Sequence, residues 1–486
     1  MSDTNRVRLT SVREATLGVT PANPKMRTRR MTGESLSFKP AFVTSAEIRS
    51  DRMTADPTKV NETNDGDVNN ELSFPVDGSP LSDDFASALF NEWVNTPVRD
   101  NAGTADSVIT GVAATGGIFT VLTGAAFVAG HLIKTSGFFN SGNNGLFKLT
   151  TGSATVPAVG DGLLIDEANP AANARIKVVG FEGASGDIEA IVDGLESTAL
   201  DFTLFGLVPG QWLKIGAAGA GNRFATAPNN AYVRVSGPVT AHKIPLDNLP
   251  TGWAADDGSG KALRVFFGDQ LRNGTKRISQ TLERGFMDQA EPTYIVQRGM
   301  VVGQLALNMA SEQIITAAFT YNGMSGAQST TSLDDTPEPA TTNRSMSANV
   351  DVGRVAESGA TVVGPNFVRS ASITINNNLR MITAIGNVGA VDIGVGECAA
   401  SLQLETYFGS NALLAKLLDG ELGNLSFRMA KDRQGLVIGF PRVTFTDGAP
   451  SANAKNQDVT LPLAAQASID PATGAQVLID RFEYVE

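Results

Sequence analysis

Two stretches of this chain, 330 residues apart, follow one plan, and a repeat on that scale constrains the fold before any other feature does. Gly66-Asp67-Val68-Asn69-Asn70-Glu71-Leu72-Ser73-Phe74 leads, after a short polar link, into Asp84-Phe85-Ala86-Ser87-Ala88-Leu89-Phe90-Asn91. Gly396-Glu397-Cys398-Ala399-Ala400-Ser401-Leu402-Gln403-Leu404 leads likewise into Gly409-Ser410-Asn411-Ala412-Leu413-Leu414-Ala415-Lys416-Leu417-Leu418. Each reads as glycine and acid, an alternating strand, then a short amphipathic helix. Upstream, Glu47-Ile48-Arg49 and Asn378-Leu379-Arg380 precede the two glycines by nearly equal distances. A duplicated unit in a chain without catalytic clusters predicts a building block rather than an enzyme.

Composition narrows this further. A length of 486 residues exceeds what one core supports, so two to four domains are expected. Fifty glycines and only 18% charged residues favour strands and turns over long surface helices. The net charge of −12 and pI near 4.9 argue against a general nucleic-acid binder, since phosphate affinity comes from Lys and Arg. A wall that repels DNA suits a conduit for it. Cys398 is the single cysteine, so no internal disulfide can form, and with only His131 and His242 a zinc cluster or catalytic triad has too few ligands. No apolar run is long enough for a membrane helix, and the N-terminus lacks the apolar core of a signal peptide.

Along the chain, residues 1–30 carry Arg6, Arg8, Arg13, Arg27, Arg29 and Arg30 among Thr, Pro and Asn, which predicts an extended arm, a disordered tail being the other reading. The polar stretch from Asp51 to Asp67 reads as a projecting hairpin arm, with its counterpart between Arg380 and Gly396. A helix is expected over about Leu81 to Trp93, with Asp83-Asp84 as N-cap and dipole partner. From Pro97 the character changes. Gly130-His131-Leu132-Ile133-Lys134 recurs as Gly210-Gln211-Trp212-Leu213-Lys214, and the Asn143-Asn144 turn recurs as Asn229-Asn230, which predicts two small β-modules in tandem. The division is therefore an arm (1–30), a first repeat unit (31–96 and 262–323) interrupted by an insertion (97–261), a linker (324–345) and a second unit (346–486).

Isolated signals have plainer explanations. His131 is expected to be a satisfied histidine, Cys398 a small core residue, and Asp334 and Asp335 solvated linker acids. The glycine-rich Ile215–Asn222 run lacks the Lys-Ser/Thr ending of a phosphate loop and reads as a connection between strands. Trp212 and Tyr232 are expected to fill the core of their module; exposed, they would form a partner- or glycan-binding surface.

Several segments together resemble the tail tube proteins of long, non-contractile-tailed bacteriophages: Arg13-Glu14-Ala15-Thr16-Leu17-Gly18-Val19-Thr20-Pro21, Gly33-Glu34-Ser35-Leu36, Glu47-Ile48-Arg49-Ser50-Asp51-Arg52, Ile373-Thr374-Ile375-Asn376-Asn377-Asn378-Leu379-Arg380 and Phe440-Pro441-Arg442-Val443. The similarity spans 1–96 and 262–486. It implies a mainly β fold with two tail-tube-like antiparallel β-sandwich or barrel domains, each with a flanking helix, plus the inserted β-modules. It also implies rings that stack into a hollow tube, and, because such rings are six-fold, a trimer of two-domain chains. The expected partners are further copies of the chain, tape measure and tail completion or tip proteins, and DNA in transit, with host-surface contact through the insertion. The expected location is the virion tail, after assembly in the bacterial cytoplasm. Function would then be geometric, with no catalytic, cofactor or metal residues. The interface candidates are Arg27, Arg29 and Arg30 in the arm, Asp51 and Asp67 bounding the first loop, and Arg380 and Gly396 bounding the second. An insertion on the outer wall should be dispensable for assembly. A virion decoration or receptor-binding protein, with the insertion as its working part, is the alternative.

Overall fold

The computed structural model describes residues 3–102, 108–122, 126–362, 365–452 and 454–486. The fold is mainly β, with two α-helices among the described residues. Twelve strands carry the architecture: β1 (Val7–Arg13), β2 (Ser37–Thr44), β3 (Pro57–Glu71), β4 (Gln280–Phe286), β5 (Thr293–Ala310), β6 (Thr316–Asn322), β7 (Val352–Glu357), β8 (Val368–Asn376), β9 (Ala399–Tyr407), β10 (Leu422–Lys431), β11 (Gln434–Gly448) and β12 (Thr460–Ala467). Antiparallel pairing orders the first six as β2-β3-β6-β5-β4-β1. The last six run β8-β9-β12-β11-β10-β7, the same order six strands later.

The irregularities repeat as well. A bulge separates Gln280 from Leu282 where β4 meets β5, and another separates Gly423 from Leu425 where β10 meets β11. A second pair of bulges follows Val302 in β5 and Phe445 in β11. Both pairs give one alignment, Met300 with Val443 and Gln304 with Asp447. Carried across the ladders, it sets Ser37 level with Thr374, and Gly66 level with Leu402 rather than Gly396. A match on glycine and acid is thus six residues out of the structural register. A strand's period of two lets a weak pattern slide by an even number without changing faces.

Each set carries one helix after its third strand in chain order. Helix α1 (Pro80–Leu89) starts at Ser79, whose hydroxyl accepts from the Ser82 N–H, with Pro80 pre-set for the first turn. The cap is therefore Ser79, and Asp83 sits in the first turn. Phe85, on the buried face of α1, meets Phe319 edge-on at 5.7 Å. Helix α2 (Ala412–Asp419) ends on left-handed Gly420, and only its Leu413 is fully buried. Both helices pack on the corresponding strand, α1 on β5 and α2 on β11. The two sets share one apolar core, from Leu9 and Leu36 through Leu305 and Ile373 to Phe440 and Ile479.

Strand β5 is the hinge of the assembly. It pairs with β4 through Met300 and with Ser325–Ser329 through Arg298; past Gly299, whose φ is +67°, it pairs from Val301 with β6 on one side and from Gln304 with β8 on the other. Gln304 faces Asn376 and Ala310 faces Ser370, so the second set continues directly from the first.

Several expectations are corrected here. The arm of residues 1–30 is built in: β1 pairs along its length with β4, and Arg27-Thr28 pairs with β1. The linker is likewise tied down, since Ser325–Ser329 is a strand, the Thr28 N–H donates to Glu338 O and the Glu338 N–H donates to Met26 O. Asp334 accepts the Met26 N–H at 2.9 Å instead of standing in water. Finally, the tandem modules are one sheet, and Ala262–Phe266 belongs to it rather than to the resuming repeat.

That sheet keeps the small repeat visible. His131–Ser136 pairs with Leu146–Lys148, and Trp212–Ile215 with Tyr232–Val235. Asn144 brackets Phe138 with bonds to its N–H and C=O, both 2.9 Å, as Asn230 brackets Phe224 at 2.8 and 3.0 Å. Asn143 and Asn229 do the same for Ile165 and Ala254. The halves meet where Arg175–Ser185 pairs with Ala262–Phe266. The Ile215–Asn222 run connects strands, as expected. Trp212, Tyr232 and Phe266 are buried not inside a module but against Val437 and Phe482 of the C-terminal set.

Candidate assembly surfaces

Two buried ionic clusters define what is internal to the subunit and so cannot be interface. Arg29 is buried against Asp84, donates to the Tyr321 hydroxyl at 3.0 Å and to Gln280 at 3.3 Å, and Tyr321 in turn donates to Asp84 at 2.5 Å. Burial alone would weaken the guanidinium's hold on its proton; Asp84 and Tyr321 outweigh it and raise the Arg29 pKa. Arg29 is therefore a fold residue, not an interface residue. Asp83, with Arg13 Nε 3.4 Å away, is pushed up to about 7 by its burial.

The second cluster ties all three parts of the chain. Asp269 accepts from Lys177 Nζ and Arg481 Nε, both at 2.8 Å, and from the Thr96 N–H at 2.9 Å. Burial disfavours its charge, but Lys177 and Arg481 outweigh that and hold the carboxyl below its ordinary range. The Arg481 guanidinium also reaches Pro75 O, Ser82 Oγ, Asp77 and Asn95, and lies over the Trp93 ring at 4.1 Å.

The remaining sequence-selected residues lie at or near the surface but do not converge. Arg27 pairs with Glu338, and Arg30 bonds Asn343 O and Ser345. Asp51 is exposed and pairs with Arg49, which favours its charged form. Asp67 lies inside β3, accepting from Thr320 Oγ1 at 2.6 Å. The predicted loop is accordingly shorter than expected: β3 begins at Pro57, so β2 and β3 form a long two-stranded arm closed by residues 45–56. Its exposed apolar side chains are Phe42, Val43, Ile48, Met53 and Val60. Arg380 and Gly396 flank a smaller hairpin in which Arg380–Ile382 pairs with Asp392–Gly394. Its tip exposes Ile385 and Val388, and the Gly389 N–H donates to Asn61 of the first arm at 2.8 Å.

Sequence reasoning missed the sheet edges. Among the described residues β2 pairs with β3 alone. The C-terminal end of β11, from Asp447, has β12 alone, whereas the matching stretch of β5 has both β6 and β8. Pro40 in β2 and Pro450 beyond β11 were the available signal, since proline in a sheet is confined to edges. Among the described residues no group of three or more His, Cys, Asp or Glu is placed to hold a metal ion.

A family model described as phage tail tube protein matches residues 4–467. The chain belongs to the phage tail tube family. No curated protein matches it. The match begins before β1 of this tail tube protein and ends at Ala467, the last residue of β12, so both strand sets fall between its ends. The family is a structural class rather than an enzyme class, and it places the chain in the virion tail.

Proposed function

We propose that three copies of this tail tube protein close into a ring of six strand sets, and that stacked rings form the conduit through which DNA leaves the virion. In this reading the strand set β1–β6 and the strand set β7–β12, each with its helix, are two tube domains. The observation that carries it is the β5–β8 junction, which joins two equivalent strand sets side by side within one chain. One chain thus supplies two of six positions. The acidic balance suits a wall that DNA passes without binding. The two hairpin arms, β2–β3 with Asp51 in its tip and Asp67 in its base, and the smaller one flanked by Arg380 and Gly396, reach the next ring, where their exposed apolar tips are covered; Arg27 and Arg30 lie on the flank. Non-closing contacts along the axis make a filament of the rings. Tape measure and tail completion or tip proteins occupy the lumen and ends, and assembly takes place in the host bacterial cytoplasm.

Negative-stain electron microscopy of the concentrated protein tests this. Hollow tubes or rings with three-fold averaged symmetry are expected. Discrete particles without a channel at every concentration and salt would overturn it in favour of a decoration or receptor-binding protein.

A further inference from the structure

The internal junction is a template for the joint between copies. Within the chain, Gln304–Ala310 of β5 runs antiparallel to Ser370–Asn376 of β8. Just beyond, Asn377 donates its N–H to Gly303 O at 2.8 Å and its side-chain amide to Ala88 O of α1 and to Val302 O. Leu379 packs with Phe90 and Val301 at the end of α1. Under the bulge alignment each partner has a counterpart on an edge strand, open except at Leu36, whose N–H goes to Glu34 Oε2 and whose C=O accepts from Arg284, both at 2.8 Å. Gln304 corresponds to Asp447, Leu305 to Gly448 and Leu307 to Pro450; Ile373 corresponds to Leu36, Ile375 to Phe38, Asn376 to Lys39 and Asn377 to Pro40. Ser451 still faces Thr460, so the open edge stays extended past the end of β11.

We infer that β2 of one copy pairs antiparallel with the Asp447–Ser451 edge of a second copy, Lys39 opposite Asp447 and Phe38 opposite Gly448, and that Pro40 and Pro450 keep this joint weaker than the internal one. The inference rests on the ring reading and names its lateral contact.

Two further features select the register. Lys39 and Asp447 are both exposed and of opposite charge, which favours them as a cross-strand pair. Phe42, two residues past Pro40 as Leu379 is two past Asn377, is 56% exposed. On the receiving side Leu418 and Leu422, at the end of α2, are 76% and 57% exposed, where the end of α1 is covered by Leu379. Phe42 covers them. The prolines act oppositely. Ser35 and Ser451 direct their N–H groups inward, to Asp67 O and Thr460 O. Because a strand's backbone alternates, Pro40 and Pro450 fall at outward-facing positions and remove a ladder donor from each edge. Free edges of a soluble subunit are thereby kept from indiscriminate pairing.

The test is Lys39→Cys with Asp447→Cys in a Cys398→Ser background, oxidised after assembly. The paired positions lie at a close, non-hydrogen-bonded site with Cα atoms about 4.5 Å apart, within disulfide reach. Covalent dimers and trimers and nothing larger are expected. Carbodiimide treatment of the unmutated protein should likewise give a Lys39–Asp447 cross-linked peptide. Rings or tubes in the microscope with neither cross-link overturn the register while sparing the ring reading; absence of rings and tubes from the unmutated protein overturns both. Pro450→Leu should lower the concentration at which rings form severalfold, and an unchanged or higher threshold overturns the role given to the prolines.

Discussion

Arg481 and Asp269 meet at 2.8 Å with neither side chain exposed, and through them the C-terminal strand Leu478–Phe482 is bound to Asp269–Arg272, to Lys177 of the middle sheet and to the entry of α1. Removing one member of such a buried pair leaves charge without compensation.

Arg481→Met should accordingly cost about 3–5 kcal/mol. Thermal unfolding followed by circular dichroism would report it as a markedly lower midpoint. A midpoint within a degree of the unmutated protein would show that the cluster does not bind the parts together.

The middle sheet is not a detachable ornament. Deleting residues 98–267 would remove Lys177 from Asp269 and expose Val437 and Phe482, now covered by Trp212, Tyr232 and Phe266. Insoluble or strongly destabilised protein is expected, against the sequence-level expectation that the insertion is dispensable. Soluble, ring-forming protein after the deletion would restore that expectation.

The arm should serve stacking and not folding. Replacing residues 46–56 with a tight turn leaves the β2–β3 ladder intact. Single rings without tubes are the expected micrograph, with an unchanged melting curve. Tubes of ordinary length would remove the arm from the inter-ring contact.

His131 gives the middle sheet a pH dependence. It is buried beside Phe205, its Nδ1 accepts the Val128 N–H at 3.1 Å, and burial lowers its pKa to about 4. The unfolded chain takes up a proton near pH 6.5 that the folded chain refuses until about 4. Stability is therefore full above pH 6.5 and falls as pH drops, by about 3 kcal/mol at pH 4. His131→Gln keeps an acceptor without the titration, so its melting midpoint should fall less between pH 7 and 4.5. Equal losses in both proteins would rule this histidine out.

How much of this was legible follows from how local each signal is. Alternation in Ile373–Ile375 and Leu402–Leu404, the Asn-Asn turns and the family segments read correctly because neighbours in sequence settle them. The cap did not, because Asp83-Asp84 and Ser79 are both plausible starts and only the Ser79 hydroxyl meets a free N–H. Arg29 reads from sequence as an interface candidate in an arm, because nothing beside it announces Asp84, 55 residues on.

The sequence by itself determined a β-rich, duplicated chain, since periodicity and turn residues are properties of short windows, and its resemblance to tail tube proteins likewise rests on short segments. Only the tertiary structure decided the register of the duplication, the burial of the arginine segment, the single middle sheet and the two open edges. Each of these depends on pairing between strands tens to hundreds of residues apart, and a ladder's partner is chosen by the whole packed core rather than by the residues that flank it.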